Sequence, residues 1–411
     1  MRLAYLIPEF PGQTHTFFWR EKNALEELAI TVCLFSTRKP RAEIISHEWA
    51  QTAIVQTLYL FPPSLSDILR AGLRLVRSGP KAWAHLLASI ARTDLPLRNL
   101  PRLCGLVLPA ALFADHILRE HIDHIHVHMC SDAANIALFA HLLTGVPYSM
   151  TLHESLDVFG GNQPEKWRHA AFAVIITQTL RADVEKRLAG YLPATLAVAP
   201  MGVDLDRFQR SQPYTPYRRP ETALIFSCGR LNPSKGHADL IRAVAQLVEN
   251  GYDIKLHIAG EDDSGTGMHV TELMELTHDL GMTERVVFLR AVPETTVREE
   301  LDKAHIFALA SWHEALGVVY MEAMAMGVPV IGTRAGGVPE LIQDHINGLL
   351  VPPQAPEALA YALQSVLDEP DLALRLGEAG KNTVVREFHS KRSADVLAQH
   401  IRQIHQKIAP A

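Results

Sequence analysis

The sequence predicts an α/β protein built from two doubly wound domains that face each other across a cleft. Short apolar runs alternate with amphipathic helical stretches along the chain, the pattern of parallel sheets covered by helices on both faces. The alternation pauses once, near the middle, at 209–220 (QRSQPYTPYRRP), where three prolines and several polar residues read as a linker. The length of 411 residues, 48% hydrophobic and 20% charged, suits two or three domains of about 150 residues each. Ligands in such folds sit at the carboxyl ends of the strands, so two facing domains place a ligand in the cleft between them.

Taken in order, Leu3–Ile7, Ile30–Phe35, His124–His128, Tyr148–Leu152 and Val174–Thr177 read as buried strands of the first half. In the second half Ala223–Ser227, Lys255–Ala259, Val286–Leu289, Ile306–Leu309 and Val328–Gly332 read the same way. The clearest helix is His237–Asn250. Its Leu240, Ile241, Val244, Leu247 and Val248 form one apolar face, and Gly251 stands just past its end. Ser131–Leu143 is similar, with Gly145 near its end. The N-terminal domain then covers 1–208, the linker 209–220 and the second domain 221–389, leaving a last helical segment at 390–411.

A net charge of −6, from 39 basic and 45 acidic residues, argues against a general nucleic-acid coat. The four cysteines, Cys33, Cys104, Cys130 and Cys228, form no CxxC pair, which removes zinc-ribbon and thioredoxin readings and suits a reducing compartment. The N-terminus MRLAYLIPEFPG carries too short an apolar stretch for a signal peptide. The longest apolar run, Leu103–Ala114, falls short of the ~20 residues a bilayer span needs. A cytoplasmic protein is expected. Residues 61–110 stand apart: seven cations against Asp67 and Asp94 give +5 in an acidic chain. Leucines interleave with those charges, so the segment reads either as ordinary surface helices or as a face for an inner-membrane surface or an anionic acceptor.

Three stretches carry chemistry. In SWHEALGVVYMEAMAMGVPVIGTRAGGVPELI, Glu314 and Glu322 stand eight positions apart. On a helix that is about 12 Å along the axis and about 80° around it, so they could touch two ends of an extended polar ligand but not clamp one atom. Between them Leu316-Gly317 marks a helix start, where free amides and the positive dipole end suit a phosphate. In FSCGRLNPSKG, a strand ends at Gly229, and Arg230 and Lys235 precede a helix N-terminus, a fitting pair for a diphosphate. The Walker A spacing is absent, and no GxGxxG follows a strand, which disfavours a nicotinamide enzyme. In the first half, His126-Val-His128 and PYSMTLHESLDVF place His126, His153 and Asp157 at strand ends, and Phe10-Pro-Gly12-Gln13-Thr14-His15-Thr16-Phe17 follows the first strand. His126 and His128 share a strand face, but no nearby Cys or carboxylate pattern completes a metal site, and no metal site is assigned.

Together these stretches resemble the retaining glycosyltransferases of family 4. Glu314, Gly317, Glu322, Ala323, Gly327, Pro329, Val330, Gly336, Gly337, Pro339 and Glu340 match that family's glutamate-rich signature, with Ala315-Leu316 where Gly-Phe is usual. FPGQTHTF is similar to an element of the exopolysaccharide, colanic-acid-type branch, with His15 in place of the usual acid. The resemblance implies the GT-B fold, two facing Rossmann-like domains, with the final helix crossing back onto the first domain. It implies a retaining, metal-independent transferase that needs no cofactor beyond a UDP- or GDP-sugar co-substrate. Its acceptor would be a saccharide or lipid-linked saccharide, in exopolysaccharide or cell-surface glycan synthesis. Arg230 and Lys235 would hold the pyrophosphate and stabilise the leaving group. Glu322 would hold the ribose, and Glu314 would lie with Gly229, Ala315, Leu316, Gly317 and Val318 around the sugar and phosphates. His153 would lie by the reacting centre, and Gly12, Gln13, Thr14, His126 and Asp157 would face the acceptor. Rival readings are a GT-B sugar-nucleotide epimerase, which would need no acceptor, and a non-catalytic glycan-assembly scaffold.

Overall fold

The computed structural model describes residues 1–12, 14–41, 45, 47–262 and 266–408. Gln13 lies outside the described residues. Two all-parallel sheets organise the chain. The first holds β1 (Arg2–Glu9), β2 (Thr31–Arg38), β3 (Leu58–Phe61), β4 (His124–His128), β5 (Tyr148–Leu152), β6 (Ala173–Ile175) and β7 (Leu196–Val198), in the order 3-2-1-4-5-6-7. The second holds β8 (Ala223–Cys228), β9 (Ile254–Ala259), β10 (Val286–Arg290), β11 (Ile306–Ala308), β12 (Val330–Thr333) and β13 (Leu349–Val351), in the order 10-9-8-11-12-13. Each order reverses once, between β1 and β4 and between β8 and β11, which leaves a crevice at the carboxyl ends of those strands.

The strands read from the sequence are present, with shifted ends. Val174–Thr177 shortens to Ala173–Ile175, because the Thr177 side chain caps the next helix by accepting from Leu180 N. Three strands stand outside the expected set: β3, β7 and β13, of four, three and three residues. The helix His237–Glu249 buries Leu240, Ile241, Val244 and Leu247 as its spacing requires.

Residues 61–110 form more than a pair of surface helices. Leu65–Arg77, opened by a Ser64–Asp67 capping box, and Gly79–Ala91 are followed by a helical stretch, Leu97–Arg119. That stretch is long and apolar enough to cross a membrane, longer than the run Leu103–Ala114 suggested. Half of its most apolar part is buried, and Ala110–Ala114 and Ile117 belong to the core beneath the first sheet.

The 209–220 segment is irregular but anchored. Arg210 donates to the Leu301 and Asp302 carbonyls, and Tyr214 Oη donates to His305 O at 2.7 Å. It therefore packs with the second sheet's helices. The chain crosses between the two sheets' units again at the far end. Val203 N donates to Phe388 O and Ser390 N to Val203 O, both at 2.9 Å, so the two crossings run side by side. A Cβ on Gly202 would lie 2.5 Å from the Phe388 and His389 backbone, so only glycine permits this approach. The last helix, Lys391–Ile408, then lies on the first helix, α1 (Thr16–Glu27). Its Ala394, Leu397, Ala398 and Ile401 enter the core under β1, and Lys391 and Arg402 bond Glu27 and Leu28 O.

Candidate active site

The two switch points face one another across a cleft of about 400 Å³. From the second sheet, β8 ends at Cys228 and turns through Gly229, Arg230 and Lys235. Gly236 follows at φ 66°, and a Cβ there would sit 1.9 Å from Ala310 O. Glycine thus lets the loop after β8 lie directly on the loop after β11. Trp312 fastens the two: its N–H donates to Ser234 O and its indole to Asp239, each at 2.7 Å. This brings the Lys235 ammonium onto the Glu314 carboxylate in a largely buried ion pair. Glu314 is fixed from behind, where Gly337 N donates to its carbonyl at 2.9 Å.

Glu314 itself is not helical. The helix Val318–Ala325 opens at Gly317, whose φ of 85° falls in the left-handed region. Ala315, Leu316, Gly317, Val318 and Val319 form the adjoining cleft wall. Glu322 lies one turn into the helix, 8% exposed, and accepts from Arg20 of α1 at 3.1 Å. Arg20 also donates to Glu294 at 2.7 Å, and Arg207 pairs with Glu294 at 2.9 Å. Burial, opposed by Arg20 and reinforced by Glu294, pushes the Glu322 carboxyl up to about 7.

From the first sheet, Thr14, His15, Thr16 and Phe17 line the cleft after β1, and Met129, His153 and Glu154 line it after β4 and β5. His15 is held neutral, down to about 3, by burial and then by the charges of His47 and Arg230. His153 Nε2 lies 2.9 Å from His128 Nδ1. Burial, then His128, lowers the His153 value well below the ordinary imidazole range. Two contacts bridge the cleft's rims. His313 meets Glu154 at 2.8 Å, and the Glu340 carboxylate accepts from Gln178 N and Thr179 N, each at 2.7 Å, at the start of a helix in the other unit.

His153, Gly229, Arg230, Lys235, Glu314, Ala315, Leu316, Gly317, Val318, Glu322 and Thr14 thus share one cleft. Other expected residues lie off its wall. His126 is inside the sheet, its two nitrogens 2.8 Å from Ser149 Oγ and 2.9 Å from Thr151 Oγ1. Asp157 is exposed and paired with Arg187 at 2.7 Å, which holds its carboxyl below the usual range. Gly12 turns the chain behind His15, accepting from His15 N at 3.1 Å. Arg20, Glu21 and Glu294 belong to none of the sequence motifs. Arg20-Glu21-Lys22 reads as a solvated helix face, yet all three are buried. The one sequence signal in α1 is the run Phe17-Phe18-Trp19 directly before these charges.

The family model described as glycosyl transferases group 1 matches residues 216–383. A D-inositol 3-phosphate glycosyltransferase 2 from Catenulispora acidiphila is 32% identical over 353 residues, 79% of this chain and 78% of that protein. A GDP-mannose-dependent alpha-(1-6)-phosphatidylinositol monomannoside mannosyltransferase from Mycolicibacterium smegmatis is 33% identical over 218 residues. That match takes in 50% of this chain and only 56% of the relative's length. Among solved structures, sucrose-phosphate synthase from Thermosynechococcus elongatus superposes with a TM-score of 0.74 at 19% identity, over 99% of this chain and 100% of that one. Anabaena HepE in complex with UDP and glucose gives 0.71 at 17% identity, over 99% of each chain. These two share the GT-B fold. The match to the Catenulispora protein, over 79% of this chain and 78% of that one, together with the family model over residues 216–383, places the chain among the group 1 glycosyl transferases.

Proposed function

We propose that the protein is a retaining glycosyltransferase that moves a sugar from a UDP- or GDP-sugar to a saccharide or lipid-linked saccharide acceptor, without a divalent metal. One observation carries this reading: the two switch points put two cations, two carboxylates and a helix start on one wall of a cleft, with a neutral histidine opposite. Negative charge develops on the leaving diphosphate, and fixed cations and amides stabilise it without reorganisation. Arg230 and Lys235 fill that role, Glu314 holds Lys235 in place, and Glu322 accepts from the ribose hydroxyls. The names of the relatives, a GDP-mannose-dependent enzyme and an inositol phosphate glycosyltransferase, support a nucleotide-sugar donor and a polar acceptor.

In this reading the acceptor approaches from a membrane's cytoplasmic face, in exopolysaccharide or other cell-surface glycan assembly. The helix Leu65–Arg77 leaves Leu65, Leu69 and Val76 exposed at 81%, 74% and 78%, with Arg74 and Arg77 in its last turn. That combination fits an anionic lipid surface.

The test is a thermal-shift panel of UDP-, GDP- and ADP-sugars with EDTA present. A ligand at 100 times its Kd stabilises by about 2.7 kcal/mol. Stabilisation by one nucleotide-sugar in EDTA, followed by a product with the donor's anomeric configuration by NMR, supports the proposal. Stabilisation only with added divalent ion refutes the metal-free part, and an inverted product refutes retention.

A further inference from the structure

Behind His153 lies a buried file of hydrogen-bonding groups that the reading above does not use. Tyr5 Oη on β1 donates to Glu21 Oε2 on α1 at 2.6 Å. His128 Nε2, at the end of β4, lies 3.2 Å from the same carboxylate oxygen. His128 Nδ1 meets His153 Nε2 at 2.9 Å. Tyr5 and His128 are fully buried and Glu21 nearly so. Tyr5, Phe17 and Phe18 pack their rings on the two histidines at centroid distances of 4.4–5.4 Å. His153 Nδ1 has no partner among the described residues.

We propose that Glu21 and His128 are positioning residues that fix the tautomer of His153, leaving its Nδ1 an unprotonated acceptor for a hydroxyl of the bound sugar. The inference deepens the glycosyltransferase reading and rests on it for the identity of the ligand.

The protons follow from elementary rules. A carboxylate only accepts, so Tyr5 donates to Glu21 Oε2; His128 Nε2 makes no hydrogen bond of its own, but a bare lone pair 3.2 Å from that negative oxygen would be repelled, so Nε2 is the nitrogen that carries the proton. Tyr5 keeps its own proton, since burial and the Glu21 charge raise its phenol well above the ordinary value. His128 is held neutral by burial, so its single proton is on Nε2 and its Nδ1 accepts. His153 Nε2, facing that acceptor, is a donor. His153 is also neutral, so its Nδ1 carries no proton. This is the logic by which a second partner selects an imidazole tautomer. The tautomer suits the chemistry: a bare Nδ1 orients a sugar hydroxyl, and a neutral ring adds no positive charge beside a developing oxocarbenium ion.

A metal centre on the same groups fits less well. Ligand atoms of Glu21, His126 and His128 lie within 4.8 Å of one another. Both His126 nitrogens are engaged by Ser149 and Thr151, however, and Tyr5 donates into Glu21. Two ligands remain, fewer than a structural or catalytic zinc site uses.

The decisive measurement is the ¹⁵N tautomer of His153 in the full-length wild-type protein, read from long-range ¹H–¹⁵N correlation spectra and assigned with His153→Gln. The proposal expects the Nε2–H form. A protonated Nδ1, or a cationic ring at pH 7, overturns it, and neither result needs a variant to fold or a substrate to be known. In Glu21→Gln an amide can donate to His128 Nε2 and reverse the file, so His153 should shift toward the Nδ1–H form. With UDP-glucose and GDP-mannose as probes, kcat should fall at least tenfold while the donor KM moves less than threefold. Unchanged His153 shifts in Glu21→Gln overturn the proposal, as does a stoichiometric Zn²⁺ that this variant loses. If neither donor is turned over by the wild type while the tautomer is as expected, the relay stands and the choice of donor fails.

Discussion

Replacing Glu322 by Gln should stabilise the protein and impair it, and the size of the first effect follows from the carboxyl's position. Glu322 shifts from its ordinary 4.5 to about 7 on burial. Because the folded value is raised, the penalty of burying this group is absent below pH 4.5. It grows as pH rises between the two values and is complete above about 7. At 1.36 kcal/mol per unit, the shift amounts to about 3 kcal/mol. Glutamine fills the same space without ionising. Arg20 is not orphaned by the change, since it keeps Glu294 at 2.7 Å. Variant and wild type should therefore have nearly equal Tm at pH 4.5 and diverge with pH, the variant leading at pH 8 by about 6–12 °C for a unit of 150–250 residues. Scanning calorimetry from pH 4.5 to 8 checks this. A difference that stays constant with pH would show that Glu322 is not the titrating group. Under the proposed function the same variant loses a charge-assisted bond to the ribose, worth about 1.5–3 kcal/mol, so donor affinity should fall roughly tenfold to a hundredfold. Stability gained with binding lost is the mark of a residue kept for its chemistry.

Three further outcomes are expected. Lys235→Ala should weaken donor binding by at least tenfold in calorimetry and lower Tm, because it leaves the Glu314 carboxylate buried without its cation; unchanged donor affinity would remove Lys235 from the site. Gly336→Ala would place a Cβ 2.0 Å from the Glu314 carbonyl at a φ of 58°, and should cost at least about 2 kcal/mol in denaturant unfolding; a loss under 0.5 kcal/mol would show that the loop yields freely. Leu65→Asp with Leu69→Asp should abolish sedimentation with phosphatidylglycerol vesicles and leave Tm within about 2 °C, since both side chains are exposed; undiminished vesicle binding would sink the membrane part of the proposal.

Much of the second unit was legible because its chemistry is local. The loop from Gly229 to Lys235 follows β8 directly, and the helix start at Gly317 comes nine residues after β11, so strand, glycine and charge can be read together. The first unit was legible as architecture and less so as a site. His126 looked equivalent to His128 by strand spacing, but two residues earlier on β4 means two residues deeper in the sheet, where Ser149 and Thr151 satisfy it. Arg20 and Glu322 are 302 positions apart, and no spacing rule joins them. Charges on an amphipathic helix read as solvent-facing, and only the assembled fold shows α1 pressed between the last helix and the cleft.

The paired crossings at Val203 and Ser390 make the second unit an insertion within the first. Its two ends meet at hydrogen-bonding distance, as neighbouring strands do at about 4.8 Å. The corresponding unit of another protein of this fold could therefore be spliced in by moving both junctions together. A single cut after 208 would carry the last helix away with the foreign piece. It would strip Ala394, Leu397, Ala398 and Ile401 from the back of α1, the helix whose Arg20 reaches one end of the cleft and whose Glu21 supports the other.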